Sequence, residues 1–324
     1  MRQMGLVIAF SILGICMASS AARAQDAQPR AKHRTFDEAT TSIIFFKDVF
    51  AEALQGERPA ALSENTQAPT GGSPGSMGGG GTPAPNNAGG SSEWAKIISP
   101  TTIQDEVKRL NSQLLDTVQN VRKFNGGGFE DARRDYTELA MLFAIISKYN
   151  GDVRWKEDAL VARDLFARAG FNSKVGTDNS FKEAKSRSRD LEELVRGTSI
   201  PVPDGPEADP QATWDAIADR PPLMQRLEIA FDQRVKKMTA NESEFQSNIE
   251  DILHEAEIIA AIGHAMQKEG FEYYDDEDYV GYCQQMQDAA LAVVQAVKDN
   301  NADAARKAAG DVGQACSACH ESYR

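Results

Sequence analysis

Five residues near the C-terminus carry the clearest chemistry in the chain: Cys316-Ser317-Ala318-Cys319-His320. CxxCH is the attachment pattern for haem c. Each thiol adds across a vinyl group to make a thioether, and the adjacent imidazole supplies an axial nitrogen to iron. On a helix, Cys319 and His320 stand three and four residues beyond Cys316, so one face presents all three groups. The competing readings are half of a zinc site, a redox-active CxxC and chance. Zinc asks for four Cys or His ligands, and the remaining Cys283, His33, His254 and His264 form no second paired motif. A thioredoxin-like dithiol asks for a βαβ setting, and no strand-like alternation stands out. The expectation is one covalent haem c, with His320 as the metal ligand.

The N-terminus agrees with that chemistry. Arg2, an apolar run from Leu6 to Met17 and the small-x-small triplet Ala22-Arg23-Ala24 read as a secretory signal over residues 1–24. A lipid anchor at Cys16 is disfavoured by the bulk of Ile15. The run is too short to span a bilayer comfortably, and no later segment reaches that length. The expectation is therefore a periplasmic, exported and soluble product with no transmembrane segment. Cys16 leaves with the signal, and the three remaining cysteines cannot all pair. The 324-residue chain carries a formal charge of −13; loss of Arg2 and Arg23, with no acid, makes it −15. That balance argues against nucleic acid or an anionic membrane as partner. It suits a basic redox partner protein, or simply a solvated acidic surface.

The elements that must position the motif can be read from apolar spacing. Residues 34–55 look like an amphipathic helix, with Ala39, Ile43, Phe46, Phe50 and Leu54 on one side. Residues 56–92 form a Gly-, Pro- and Ser-rich linker with too little apolar surface to order itself. The rest reads as a tandem duplication. Trp94 matches Trp214, and Glu157-Asp158 matches Glu277-Asp278, at an offset of 120. In the first copy, 93–198, Ile103, Val107, Leu110, Leu114, Val118 and Val121 make one stripe, and Tyr136, Leu139, Phe143 and Ile146 the next. The second copy, 214–324, has its long stripe at Ile249, Ile252, Ala256, Ile259, Gly263 and Met266. Residues 199–213 link the two. Asn241 with Glu244 and Ser180 with Glu183 fit the capping box. The fold class expected is all-α, two tandem four-helix bundles with short turns.

The segment Cys316-Ser317-Ala318-Cys319-His320-Glu321-Ser322-Tyr323-Arg324 resembles the C-terminal end of cytochrome c′, the class II c-type cytochromes. The likeness covers roughly residues 214–324; the motif end is specific, and the earlier helices agree only in pattern. It implies an up-down-up-down bundle with haem on the last helix. It also implies an Arg on the first helix near the haem propionates, for which Arg226 is the matching residue; the alternative is an ordinary surface Arg. The first copy has Glu106 at the equivalent place. By their spacing of three and four from His320, Tyr323 and Arg324 are placed over the haem edge or the proximal side, and the resemblance implies that Arg324 modulates the proximal electrostatics. Dimers through the first helices are implied too, so the chain is expected to be a homodimer or an internal pseudo-dimer.

The first copy lacks the motif. Alignment of Ala184 with Ala305 sets Val195 opposite Cys316, and its last helix stops at Gly197 before any His. It is expected to bind no covalent haem. In the second copy the family's distal position falls on Ala230, flanked by Leu227 and Phe231. None of these is a ligand, so the pattern leans toward five-coordinate iron. Met224 is read as packing or as a sixth ligand, Met238 as core or cap, His254 and His264 as solvent-facing, and Cys283 as a buried inert thiol. Three functions follow: electron transfer, binding of gases such as NO or CO, and a scaffold role for the copy without haem. No catalytic constellation is visible, and no enzymatic turnover is expected.

Overall fold

The structure, a computed structural model, describes residues 93–202 and 208–323. The expected signal, the expected helix at 34–55, the expected linker at 56–92, His33 and Arg324 lie outside these residues. The described residues are all-helical, with no strand among them.

The first bundle comprises α1 (Pro100–Thr117), α2 (Phe129–Lys148), α3 (Ala159–Asn172) and α4 (Asp178–Arg196). Local chemistry sets the ends. Ser99 caps α1, its Oγ accepting from the Thr102 amide at 3.2 Å, with Pro100 in the first turn. The α1 stripe ends earlier than its spacing suggests, because the helix stops at Thr117 and Val121 is exposed. The cap of α4 is Thr177, which exchanges hydrogen bonds with Ser180. Ser180 is thus the third helical residue and not the cap that the Ser180–Glu183 spacing suggests. Gly197, at φ 95°, closes α4 in the left-handed region.

The second bundle begins with α5 (Arg220–Glu228), which runs into a π-helical stretch, Ile229–Val235. Then come the short α6 (Glu242–Ser247), α7 (Ile249–Ala265), α8 (Glu277–Lys298) and α9 (Ala302–Ser322). The helix starts Pro100 and Arg220, and Phe129 and Ile249, are each 120 residues apart. Helices α7, α8 and α9 pack in sequence, and α9 returns against the π-helical stretch.

Two helices are buried on every side: α2 from Asp135 to Ile146, and α7 from Glu255 to Ala265. A helix packed in only one bundle keeps a polar outer face; these two lack one because each also faces the other bundle. Helix α2 packs on α5, and α1 on α7. Trp94 and Trp214 meet across this seam with ring centroids 5.9 Å apart. Ser99 donates from its amide and hydroxyl to Glu257 at 2.9 and 2.8 Å. The 199–213 linker is partly anchored: Ile200 is buried, and Arg163 Nη2 donates to the Asp209 carbonyl at 2.8 Å.

Candidate functional site

Asn301 caps helix α9, its side chain accepting from the Ala304 amide. Its buried stripe is unusually small: Ala302, Ala305, Ala308, Ala309, Val312 and Ala315. Small side chains let α9 lie close to α8. An adjacent face carries Ala309, Gly313, Cys316 and His320 at spacings of three and four, and these four line one cavity of about 700 Å³. That volume is of the size that holds a cofactor. The opposite wall comes from α5 and the π-helical stretch: Met224, Leu227 and Phe231, with Glu228 and Asp232 toward the rim. Helix α8 adds Tyr282, Cys283 and Met286.

The structure brings Cys316, Cys319 and His320 to this one cavity. The Cys316 thiol points at the Met286 sulfur, 3.7 Å away. Burial pushes the Cys316 thiol up to about 11, with the charges of Asp232 and Cys319 adding to it. Burial raises Cys319 as well, against the nearby Arg220 charge. Both sulfurs are therefore S–H groups at neutral pH. His320 is exposed at the cavity mouth. Among the described residues that line the cavity, it is the sole imidazole.

Two glycines keep the α9 wall flat. A Cβ at Gly310 would meet only open space, and one at Gly313 would lie 2.9 Å from Phe231 Cζ. A flat, mostly apolar slot with two thiols and an imidazole on one wall fits a covalently held porphyrin.

The end of α9 is tied down. The Tyr323 ring packs among Tyr273, Tyr279 and Tyr282, and Arg220 Nη1 donates to the Tyr323 carbonyl at 3.1 Å. Tyr323 thus stands beside the cavity without lining it. Cys283 is buried, and burial pushes its thiol up to about 12, in keeping with an inert thiol.

Arg226 is elsewhere. The expectation of a propionate contact is corrected by its partners. Its Nε donates to Glu138 at 2.7 Å, Nη1 to Glu255 at 2.7 Å and Nη2 to Glu106 at 3.0 Å. All four side chains are buried. The guanidinium faces the first bundle, and its neighbours Gln225 and Leu227 face the cavity. An ordinary surface Arg is equally ruled out.

His264 is also corrected: it is buried, with Nδ1 at 3.0 Å from Gln287, Nε2 at 2.8 Å from Glu93 and its ring 4.8 Å from Trp94. Burial and the Lys268 charge lower its pKa. His254 is half-buried against Glu106 at 2.8 Å. Neither lines the cavity. Met224 does line it, and Met238 packs at the core's edge.

Sequence reasoning missed Glu138, Glu255 and Met286. Glu138 had a signal: it sits beside the Tyr136–Leu139–Phe143 stripe, where an acid needs a partner. Burial raises Glu138 well above the carboxylate range, the Glu106 charge adds to that, and Arg226 offsets only part. At Glu106, burial is outweighed by the Arg226 charge and by bonds from Arg109 and His254, which hold it well below that range.

An all-helical bundle whose last helix offers paired thiols and an imidazole to an apolar slot defines a c-type haem protein. Residues 215–324 match the family model described as Cytochrome C′. This segment is a cytochrome c′ domain, a family whose members carry covalent haem c. Neither a curated protein nor a solved structure matches the chain.

Proposed function

We propose that the chain is an exported, periplasmic mono-haem cytochrome that transfers electrons through a haem c held in the second bundle. The observation that carries this reading is the convergence of Cys316, Cys319 and His320 on one apolar cavity. Cys316 and Cys319 would hold the haem, each thiol adding its S–H across a vinyl group, the sulfur to one carbon and the hydrogen to the other. No oxidant is consumed. His320 would supply an imidazole nitrogen to its iron. The haem, once bound, would supply one-electron ferric/ferrous chemistry. Leu227, Phe231 and Met286 would exclude water from the cavity, and its mouth, where His320 is exposed, would face a redox partner protein.

Met224 favours this reading, because it places a thioether on the wall opposite α9. A second reading rests on Leu227 and Phe231 on that same wall. If Met224 stays off the iron, the sixth position is open to NO or CO. Neither reading involves turnover beyond electron or ligand exchange.

The first bundle is proposed as a haemless copy of the same domain, packed as an internal partner. Among the described residues no helix is long and apolar enough to cross a membrane.

The test is an absorption spectrum of the matured protein, oxidised and reduced, with and without CO. Sharp low-spin reduced bands unmoved by CO support electron transfer with a sixth side-chain ligand. A high-spin reduced spectrum that shifts with CO supports the gas-binding reading. Absence of covalent haem would overturn both.

A further inference from the structure

We infer that Glu106 and Glu138, on the first bundle, are positioning residues for the haem site, acting through Arg226 on the helix that forms the cavity's far wall. The inference rests on the reading of that cavity as the haem site.

Within α5, Met224, Gln225, Leu227 and Glu228 line the cavity, while Arg226 points the other way. Its guanidinium is gripped by two glutamates from the first bundle, Glu106 of α1 and Glu138 of α2, and by Glu255 of α7. Arg109 and His254 hold Glu106 in turn, and Arg234 holds Glu255. A buried guanidinium presents its donors in a rigid fork, so three partners fix both its position and its orientation. The helix that carries it is fixed with it.

The start of α5 is held from the same side. Asp219, just before the helix, is bound by Arg133 of α2 at 2.8 Å and by Lys174 at 3.0 Å. The first bundle therefore grips α5 just before its first residue and near its C-terminal end.

The stretch beyond α5 needs such a hold. Ile229–Val235 is π-helical, whereas α1 is regular α-helix throughout. A π turn has poorer backbone geometry, and tertiary contacts must stabilise it. It carries Phe231, whose ring fills the notch at Gly313, and Asp232, at the cavity rim. Loosening Arg226 frees this stretch, so the two bundles are linked thermodynamically: whatever shifts the seam shifts the haem wall, and the reverse.

The test compares Glu106→Gln with Glu93→Gln in the full chain. Glu93 pairs with Lys268 and His264, and so crosses the same seam away from Arg226. Amide hydrogen exchange is read first on the haem-free chain. Glu106→Gln should speed exchange at residues 224–235 by tenfold or more, beyond any change in the rest of α7–α9; Glu93→Gln should leave residues 224–235 unchanged. In the haem-loaded protein, Glu106→Gln should also move the reduced absorption bands or the CO-induced shift, and Glu93→Gln should not. Arg226→Lys keeps the charge, loses the fork and should mimic Glu106→Gln, which covers the case in which that variant folds poorly. Equal behaviour of the Glu106 and Glu93 variants at residues 224–235, or an acceleration spread evenly over the bundle, overturns the inference. A wild-type chain that takes no haem counts against the haem reading alone, because the haem-free exchange pattern still decides the role of Glu106.

Discussion

The two bundles share a plan and differ in what fills them. In the first, Tyr136 stacks on Phe166 at 6.0 Å, and Phe143 lies 5.4 Å from Phe166. The residues 120 places on are Ala256, Gly263 and Met286. Three rings are thus matched by a methyl, a hydrogen and a flexible thioether. Interiors pack to nearly constant density, so removing three rings from one scaffold leaves space unless the helices collapse. At Gly263 they close up, since a Cβ there would lie 3.1 Å from Met286 Cε and 3.3 Å from the Cys283 carbonyl oxygen, whereas Met286 borders the cavity. The lesson is that losing a ring leaves space only where the helices cannot close over it: the glycine position is filled by helix approach, and the cavity lies beside the flexible Met286.

The comparison breaks most severely at the seam. Arg226→Met leaves Glu106, Glu138 and Glu255 buried against one another. Removing one partner of a buried ion cluster costs about 3–5 kcal/mol, and the urea midpoint of the full chain should fall accordingly. A variant within ~1 kcal/mol of the native chain would show that the cluster is not the seam's anchor.

The filling itself is tested by truncating equivalent positions. Phe166→Ala should cost about 3–5 kcal/mol in the first bundle. In the haem-free chain, Met286→Ala should cost less than about 2 kcal/mol, because its side chain already borders a cavity. Equal costs, read by denaturant unfolding, would erase the distinction between a filled and an open interior.

A smaller effect separates the bundles by pH. Asp135 and Glu255 are 120 residues apart, and their carboxyls shift in opposite directions. Burial pushes Asp135 up to about 6 from 3.8, against the Arg134 charge. Its contribution to stability is complete below pH 3.8 and is lost as pH rises through about 6. At Glu255, burial is outweighed by Arg226 and Arg234, and the pKa is lowered from 4.5. Its contribution is present above pH 4.5 and is lost as pH falls through its lowered value. Asp135→Asn should therefore flatten a decline on the order of 3 kcal/mol between about pH 4 and 6, and Glu255→Gln should flatten the fall on the acid side. Midpoints measured across that range check the signs.

The smallest effect expected is at Ser99, which caps α1 and also reaches Glu257 across the seam. Ser99→Ala should cost ~1 kcal/mol from the cap, with more if the Glu257 contact contributes.

Much of the haem bundle was legible in the sequence. The CxxCH spacing puts three groups on one helical face, and apolar stripes mark α1 and α2 of the first bundle and α7 of the second. Gly197 marks the end of α4, as its left-handed backbone bears out. The seam was not legible. Arg226 meets partners 120, 88 and 29 residues away, and helical periodicity says which face is buried without saying against what. The same gap hid His264, whose place beside an apolar stripe reads as solvent-facing only if no second bundle covers it. It also left the π-helical stretch unseen, because its sequence, Ile229–Val235, carries the spacing of an ordinary helix. The cap of α4 was misplaced for a local reason: Thr177 and Ser180 are both hydroxyl residues three apart, and either can begin a helix.

The most direct test of the account is the intact mass of the protein produced with haem-attachment machinery, beside its Cys316→Ser/Cys319→Ser variant. The account predicts the added mass of one haem on the wild type and none on the variant. No added haem, two haems, or a haem that survives loss of both cysteines would contradict it.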